Sequence, residues 1–235
     1  MSQKKLESKT IVLKKTIEEQ DASAIIEEKK TSLFKKLLKK PKKEEVHVHS
    51  LKLYYESMLI VSGKYVADYY RKATHTISVD SNVQEVVFGD GVFPIRSKST
   101  LQKAFDVSRG KNKIDLQLEE HVFIEEENEL IFDHHGNEIK SQYKVNSKTI
   151  ENYPLRLLEQ NSSTVKKPEI TYDTAIEKLK EFLKKPMEPD VRNLNDEFIL
   201  REITEVYVPI FEARLIGPNK KIALLRIDAV KNKVL

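Results

Sequence analysis

Residues 73–80 read Ala-Thr-His-Thr-Ile-Ser-Val-Asp and carry the clearest strand pattern in the chain. Every second side chain from Ala73 onward is apolar or an imidazole, and the residues between them are Thr, Thr, Ser and Asp. Such alternation places one apolar and one polar face on a β-strand. Ser81-Asn82 then forms a turn, and Glu85–Phe88 returns as the partner strand. The stretch therefore predicts antiparallel pairing, with Asp80 capping the turn.

Two amphipathic helices are predicted, one on each side of this strand pair. Residues 21–41 place apolar side chains three, four and seven positions apart, which is one helical face, and Pro41 ends the helix. Residues 174–186 repeat the arrangement and end at Pro186. The apolar faces consist of Ile26, Leu33, Phe34, Leu37 and Leu38 in the first helix, and of Ala175, Ile176, Leu179, Phe182 and Leu183 in the second.

Strands and turns fill most of the remaining chain. Residues 46–61 read as strand, Ser62-Gly63 as a turn, and the Tyr-rich residues 64–72 as a connection. Near the C-terminus, residues 203–215 and 222–228 read as two strands joined by a Gly-Pro-Asn turn. This pattern predicts a second antiparallel pair.

The middle of the chain has a different pattern. Residues 99–105 predict one short helix. Residues 114–132 predict a hairpin whose turn is the acidic run Glu125–Glu129. The best linker candidate is Glu159–Pro168, which is rich in Ser, Thr, Lys and Pro.

The outer thirds indicate an internal duplication. Leu37-Leu38-Lys39-Lys40-Pro41 is echoed by Phe182-Leu183-Lys184-Lys185-Pro186, and Ile77–Asp80 is echoed by Leu225–Asp228. The alternative is that any two α+β segments rich in Lys, Ile and Val align in this way. We predict an α+β fold in which each antiparallel sheet is covered by its own helix. The expected divisions are a mobile charged arm (1–20), unit 1 (21–91), a β-rich middle and linker (92–168) and unit 2 (169–235).

The last third also resembles a known family. A helix at its start, Tyr207–Leu215, and the closing run Ala223–Leu235 are similar to PepSY-type modules, the helix-plus-hairpin units of peptidase propeptides. Such modules commonly close with a strand, Asp-Ala, a Thr-Gly-Lys type turn and a short apolar strand, and Lys231-Asn232 occupies the Thr-Gly place. The resemblance covers residues 174–235 and implies a shape without an activity. Asp228 is expected to cap the closing turn.

Composition excludes several classes of protein. The chain has 235 residues, with 41 Lys and Arg, 37 Asp and Glu, and a net charge of +4. It has no cysteine, which excludes disulfides, thiolate metal sites and thiol catalysis. No apolar run reaches the roughly 20 residues of a membrane span, and the first 15 residues lack the apolar core of a secretion signal. A cytoplasmic location is therefore expected.

Chemistry-bearing residues give little indication of an enzyme. The carboxylates occur in solvated runs, and the chain has neither a nucleophile elbow nor a glycine-rich phosphate loop. A metal site would require the histidines to converge. The alternative is that the histidines simply lie on a strand edge and in a solvated turn. We expect no cofactor and no catalytic residue. The weak metal candidates are His47, His49, His134 and His135.

Basic clusters are the more informative feature. Lysines crowd the end of the first predicted helix, beside its apolar face, and an aromatic and basic cluster follows the first long strand. A helix of this type contacts a partner groove, phosphates or an anionic membrane, or simply packs on its own sheet. The predicted contact residues are Leu33, Phe34, Lys35, Lys36, Leu37, Leu38, Lys39, Lys40, Lys42 and Lys43. The second candidate patch is Tyr65, Tyr69, Tyr70, Arg71 and Lys72.

The sequence therefore predicts a non-enzymatic intracellular binding or adaptor protein that contacts a protein partner through its basic N-terminal helix. The first alternative is a nucleic-acid-associated protein that uses the same lysines on phosphates. The second is a metal-dependent hydrolase built on the histidines. A peripheral membrane contact is the least favoured partner.

Overall fold

The computed structural model describes residues 8–35, 41–95, 111–140, 143–184 and 190–235. The fold is α+β with a mostly antiparallel sheet, as predicted. The chain forms two compact units, both built from separate stretches of sequence. The larger unit comprises 1–64, 127–183 and 199–235, and the smaller unit comprises 65–126 and 184–198. Among the described residues, no helix is long and apolar enough to cross a bilayer.

The described residues contain three α-helices, four short 3₁₀ segments and nine strands. The α-helices are α1 (Glu19–Lys29), α2 (Pro154–Gln160) and α3 (Tyr172–Leu183). The 3₁₀ segments are Lys30–Phe34, Lys43–Glu45, Ser162–Thr164 and Pro218–Lys220. The strands are β1 (Lys9–Val12), β2 (His47–Asp80), β3 (Glu85–Phe88), β4 (Gly91–Pro94), β5 (Lys111–Phe132), β6 (Val165–Lys166), β7 (Arg192–Ile216), β8 (Ile222–Asp228) and β9 (Lys233–Val234).

Seven strands form one sheet in the order β5-β2-β7-β8-β9, with β1 added beside β7 and β6 beside β2. β7 and β8 are antiparallel, and the register runs from Ile210 opposite Asp228 to Ile216 opposite Ile222. β1 and β6 are parallel to their partners. β3 and β4 form a separate hairpin, so β3 pairs with β4 and is not the partner of β2 that the sequence predicted.

Two of the strands are longer than predicted. β2 runs without interruption through Ser62-Gly63 and the Tyr-rich connection, because burial continues to alternate from Val61 to Tyr69. The Ser-Gly pair inside a period-two pattern had suggested a turn. β5 likewise runs through the acidic run Glu125–Glu129, so the predicted hairpin is wrong. As an edge strand of the sheet, β5 tolerates consecutive charges that a central strand would not.

The N-terminal region also differs from its prediction. Residues 1–20 were expected to form a mobile arm, and residues 1–7 lie outside the described part. Residues 9–12 form β1, which lies parallel to Thr204–Tyr207 of β7. Val12 and Leu13 are almost completely buried. A short apolar run inside a charged segment therefore buries enough surface to order that segment, because the backbone of β7 at Thr204–Tyr207 can pair with an added strand.

Helix α1 packs on the β7–β8 hairpin, which is distant from it in sequence. Ala22 and Ile26 of α1 lie in one cluster with Phe211, Leu225 and Ile227. Full burial of a side chain such as Ile26 contributes about 1.5–3 kcal/mol. A capping box at Glu18 and Asp21 begins the helix. Of the predicted helices, 174–186 corresponds to α3, 21–41 is α1 with a 3₁₀ extension to Phe34, and 99–105 lies outside the described residues.

Candidate binding surface

The two faces of the β7–β8 hairpin have opposite environments. Phe211, Ala213 and Leu215 point toward α1 and are at most 2% exposed. Ile216 and Arg214 point to the other face, as do their respective β8 partners Ile222 and Leu224. These two apolar side chains are 56% and 53% exposed. The hairpin is therefore a covered core on one side and an open surface on the other.

Three adjoining cavities follow this open face within the larger unit. Their volumes are about 370, 580 and 250 Å³. Glu212 and Leu224 line the first and the second, and His134 and Arg226 line the second and the third. We call this continuous depression the groove. Its outer end lies at Lys52, Tyr54 and Arg214, and its inner end at Glu56 and Tyr143.

Glu56 is the centre of an ion network in the groove. Its side chain is 11% exposed, and its Oε1 atom accepts a hydrogen bond of 2.8 Å from Lys166 Nζ. Its Oε2 atom accepts from the Arg226 guanidinium. Burial by itself would raise the pKa of Glu56, but Lys166 and Arg226 together hold that pKa below its ordinary value. Strand register produces this meeting, because Glu56 lies opposite Lys166 and Glu212 lies opposite Arg226.

His134 lies beside this network. Its Nδ1 atom is 3.7 Å from Glu56 Oε2, and its side chain is 12% exposed. Its ring centroid is 3.8 Å from that of His135. Burial lowers the pKa of His134, and the charge of Glu56 opposes that effect only in part. The turn that presents it is fixed by Asp133, whose Oδ1 accepts the backbone N–H groups of His135 and Asn137.

A second buried carboxylate, that of Asp228, lies beside Tyr143 at the inner end of the groove. Asp228 is 1% exposed, and its Oδ2 accepts a hydrogen bond of 2.7 Å from the Tyr143 hydroxyl. Its Oδ1 accepts the backbone N–H groups of Val230 and Lys231 at 2.9 and 3.0 Å. Burial raises the pKa of Tyr143, so it remains a hydrogen-bond donor. The predicted turn-capping role of Asp228 is confirmed, as is that of Asp80, which accepts from the Asn82 N–H.

The predicted N-terminal contact element is only partly described. Leu33 is 47% exposed, and Lys35, Lys42 and Lys43 are exposed as well. Phe34 packs against the core, and its ring fills the space where a Cβ on Gly217 would stand. The other predicted contact residues, Lys36, Leu37, Leu38, Lys39 and Lys40, lie outside the described residues.

The predicted aromatic patch is divided by the pleat of β2. Tyr65 and Tyr69 are buried, whereas Tyr70 is exposed. The Tyr65 hydroxyl donates to Asp196 at 3.0 Å, and burial together with this carboxylate raises the pKa of Tyr65 to about 12. Arg71 forms an ion pair with Glu120 at 2.8 Å. The Tyr70 ring stacks on His121, and Lys72 is exposed.

The four candidate histidines have separate surroundings. His47 and His49 are exposed on β2. His134 belongs to the Glu56 network, and His135 lies 3.3 Å from Glu169. In the part of the chain that the structure describes, no group of three or more His, Cys, Asp or Glu side chains is arranged to hold a metal ion.

Sequence reasoning missed the central residues of the groove. Glu56 interrupts an apolar strand in Tyr55-Glu56-Ser57-Met58, and Arg226 does the same in Leu224–Ile227. A charge at a strand position that should be buried was the available signal, since such a charge needs a partner. The identity of the partner depends on strand register, which the sequence pattern did not supply.

No protein-family model, curated protein or solved structure matches this chain. The similarity of residues 174–235 to PepSY-type modules therefore stays a prediction.

Proposed function

We propose that this protein is a non-enzymatic binding protein whose groove holds a segment of a protein partner. The observation that carries the proposal is the asymmetry of the β7–β8 hairpin. One face is buried under α1, and the other presents Ile222 and Leu224 to solvent inside a depression. Exposed apolar side chains rimmed by charged ones are typical of interaction sites. The internal duplication of the outer thirds remains a prediction from the sequence.

The charges of the groove favour an acidic partner. At the inner end, Glu56 is neutralised by Lys166 and Arg226, and the same two cations lie within 4.0 Å of Glu212. At the outer end, Lys52 and Arg214 form no salt bridge with any residue that the structure describes. A segment that combines carboxylates with apolar side chains complements both these cations and Leu224.

The inner ion network supports binding better than catalysis. The carboxylates of Glu56 and Asp228 both satisfy internal donors, which is a stabilising arrangement. The alternatives are a metal-dependent hydrolase and a nucleic-acid-associated protein. If the partner were a nucleic acid, Lys52 and Arg214 would be suitable phosphate contacts. The neighbouring apolar side chains of Ile222 and Leu224 would have no favourable contact with a phosphate backbone. Leu33, Lys35, Lys42 and Lys43 remain a proposed additional contact of the N-terminal segment.

The test is selection of displayed random decapeptides on the full-length protein, followed by affinity measurement in solution by fluorescence anisotropy. We expect the enriched peptides to be acidic and apolar. The Lys52→Glu/Arg214→Glu double variant should bind them roughly tenfold more weakly, because two attractions become repulsions.

The matched control is Arg156→Glu, which reverses an exposed charge on α2 outside the groove and should leave the affinity unchanged. Failure to enrich any peptide, or equal affinity for the double variant, would overturn the proposal. Tight, steeply salt-dependent binding of mixed DNA or RNA that the double variant loses would favour the nucleic-acid alternative.

A further inference from the structure

The outer edge of β8 is unpaired where it borders the groove. β9 pairs with β8 only at Ile227 and Asp228. The carbonyl of Arg226 points to this outer side, since it accepts the Leu235 N–H at 2.9 Å. Backbone groups in a strand alternate in direction, so those of Leu224 and Ile222 point the same way as those of Arg226.

These backbone groups have no adjoining strand in the described structure. On its outer side, β8 has no adjoining strand from Ile222 to Leu225 among the described residues. Among the described residues, no backbone hydrogen bond outside the strand ladders involves Leu224. An open strand edge is a template for a further strand.

The surroundings of this edge favour an acidic strand over a second copy of the chain. Lys220 and Lys221 precede the edge, and Arg226 and Lys233 follow it. Asp228, the acid on β8, is buried and bonded to Tyr143. A second copy paired edge to edge would bring equal basic flanks together, whereas carboxylates on an incoming strand would be attracted.

We propose that the partner segment binds as an added β-strand along the outer edge of β8. Its backbone pairs with the N–H and C=O groups of Leu224 and Ile222. Alternate side chains of the added strand then lie over the groove. The apolar ones contact Leu224, and the acidic ones approach the cations Lys52 and Arg214. Main-chain bonds supply affinity and the alternate side chains supply selectivity. This inference rests on the proposed function and specifies its binding mode.

Backbone methylation of the probe tests this mode without altering the protein. The probe is the highest-affinity decapeptide from the selection, synthesised in two forms, each N-methylated at one set of alternate amides. An added strand bonds to β8 through one set only. We expect that form to bind at least about tenfold more weakly, through loss of two or more hydrogen bonds, and the other form to stay within about twofold.

A protein variant gives an independent measurement. Leu224→Pro removes the outward N–H while leaving the β7 ladder intact, because proline is tolerated on strand edges. Relative to Leu224→Ala, which loses the same side chain but keeps the N–H, it should bind the probe about threefold to tenfold more weakly. Urea titration of both variants checks that they are equally folded.

Three outcomes would overturn the inference. If both methylated forms bind equally, the peptide lies on the groove without strand pairing, and the proposed function stands. If the unmodified peptide binds neither wild type nor variants, the proposed function falls with it. If sedimentation shows a dimer that Leu224→Pro abolishes, the edge is occupied by a second copy of the chain.

Discussion

Glu56 shows how a single buried carboxylate organises its neighbourhood. Its two oxygens bond to Lys166 from β6 and to Arg226 from β8, and His134 lies alongside. Removing the charge leaves Lys166 and Arg226 with Glu212 alone, at 3.8 and 3.6 Å. Breaking such a pair costs more than a surface ion pair contributes.

We expect Glu56→Gln to lower the free energy of unfolding by about 2–3 kcal/mol, as measured by urea denaturation. The control is Glu169→Gln, whose carboxylate is 65% exposed beside His135. That change should cost less than about 0.5 kcal/mol. Equal effects of the two substitutions would show that the Glu56 network contributes no stability.

His134 predicts a pH dependence of stability. Burial is the main reason that its folded-state pKa lies below the ordinary 6.5. As the pH falls through 6.5, this histidine therefore binds a proton more readily in the unfolded chain than in the folded chain. The free energy of unfolding decreases as a result. Urea titrations at about pH 7.5 and about pH 5.5 should show this loss in wild type.

The variant His134→Gln should lose less stability on acidification than wild type does, because that proton uptake is removed. His47→Gln serves as the control, since its side chain is exposed on β2. A wild-type pH profile retained by His134→Gln would contradict the assignment.

At the scale of elements, the 3₁₀ segment after α1 is anchored at a glycine. A Cβ on Gly217 would lie 2.4 Å from the Phe34 ring, and the backbone at Gly217 is extended and unstrained (φ −106°). Gly217→Ala should therefore destabilise the protein by about 1–3 kcal/mol through steric overlap. In a Phe34→Ala background, the same change should cost less than about 0.5 kcal/mol. Additive costs in this double-mutant cycle would refute the contact.

The elements show where sequence patterns succeed. α3 and β8 were predicted closely, because a strong helical stripe and a clean alternation leave little choice. The lengths of β2 and β5 were missed, because Gly63 and the acidic run Glu125–Glu129 resemble turn signals. Pairing partners at long sequence distance decided those cases, and local patterns do not contain them.

At the scale of the whole molecule, the two ends of the sequence belong to one unit. The backbone N–H of Leu13 donates to the Tyr207 carbonyl at 2.9 Å, and that of Thr16 donates to the Ala229 carbonyl at 2.7 Å. In hydrogen exchange, we expect both amides to be protected to the same degree as the amides of β7 and β8. Exchange of these amides within seconds would instead support the mobile arm expected from composition.

The division of the chain was the least predictable property. The sequence suggested consecutive segments, whereas the compact units are assembled from three stretches and two stretches of chain. β2, β5 and β7 each contribute to both units. The predicted segments 21–91 and 169–235 are therefore each divided between the units. Composition shifts mark linkers, and they carry no signal when a continuous strand passes from one unit to the next.

The place of Tyr54 in the groove has a practical consequence. The chain has nine tyrosines and no tryptophan, and the Lys166 ammonium lies 4.6 Å from the Tyr54 ring centroid. Tyr54→Trp would therefore introduce the sole indole of the molecule beside a cation that quenches or shifts emission when it moves. Its fluorescence would give an optical titration of groove occupancy with no attached dye.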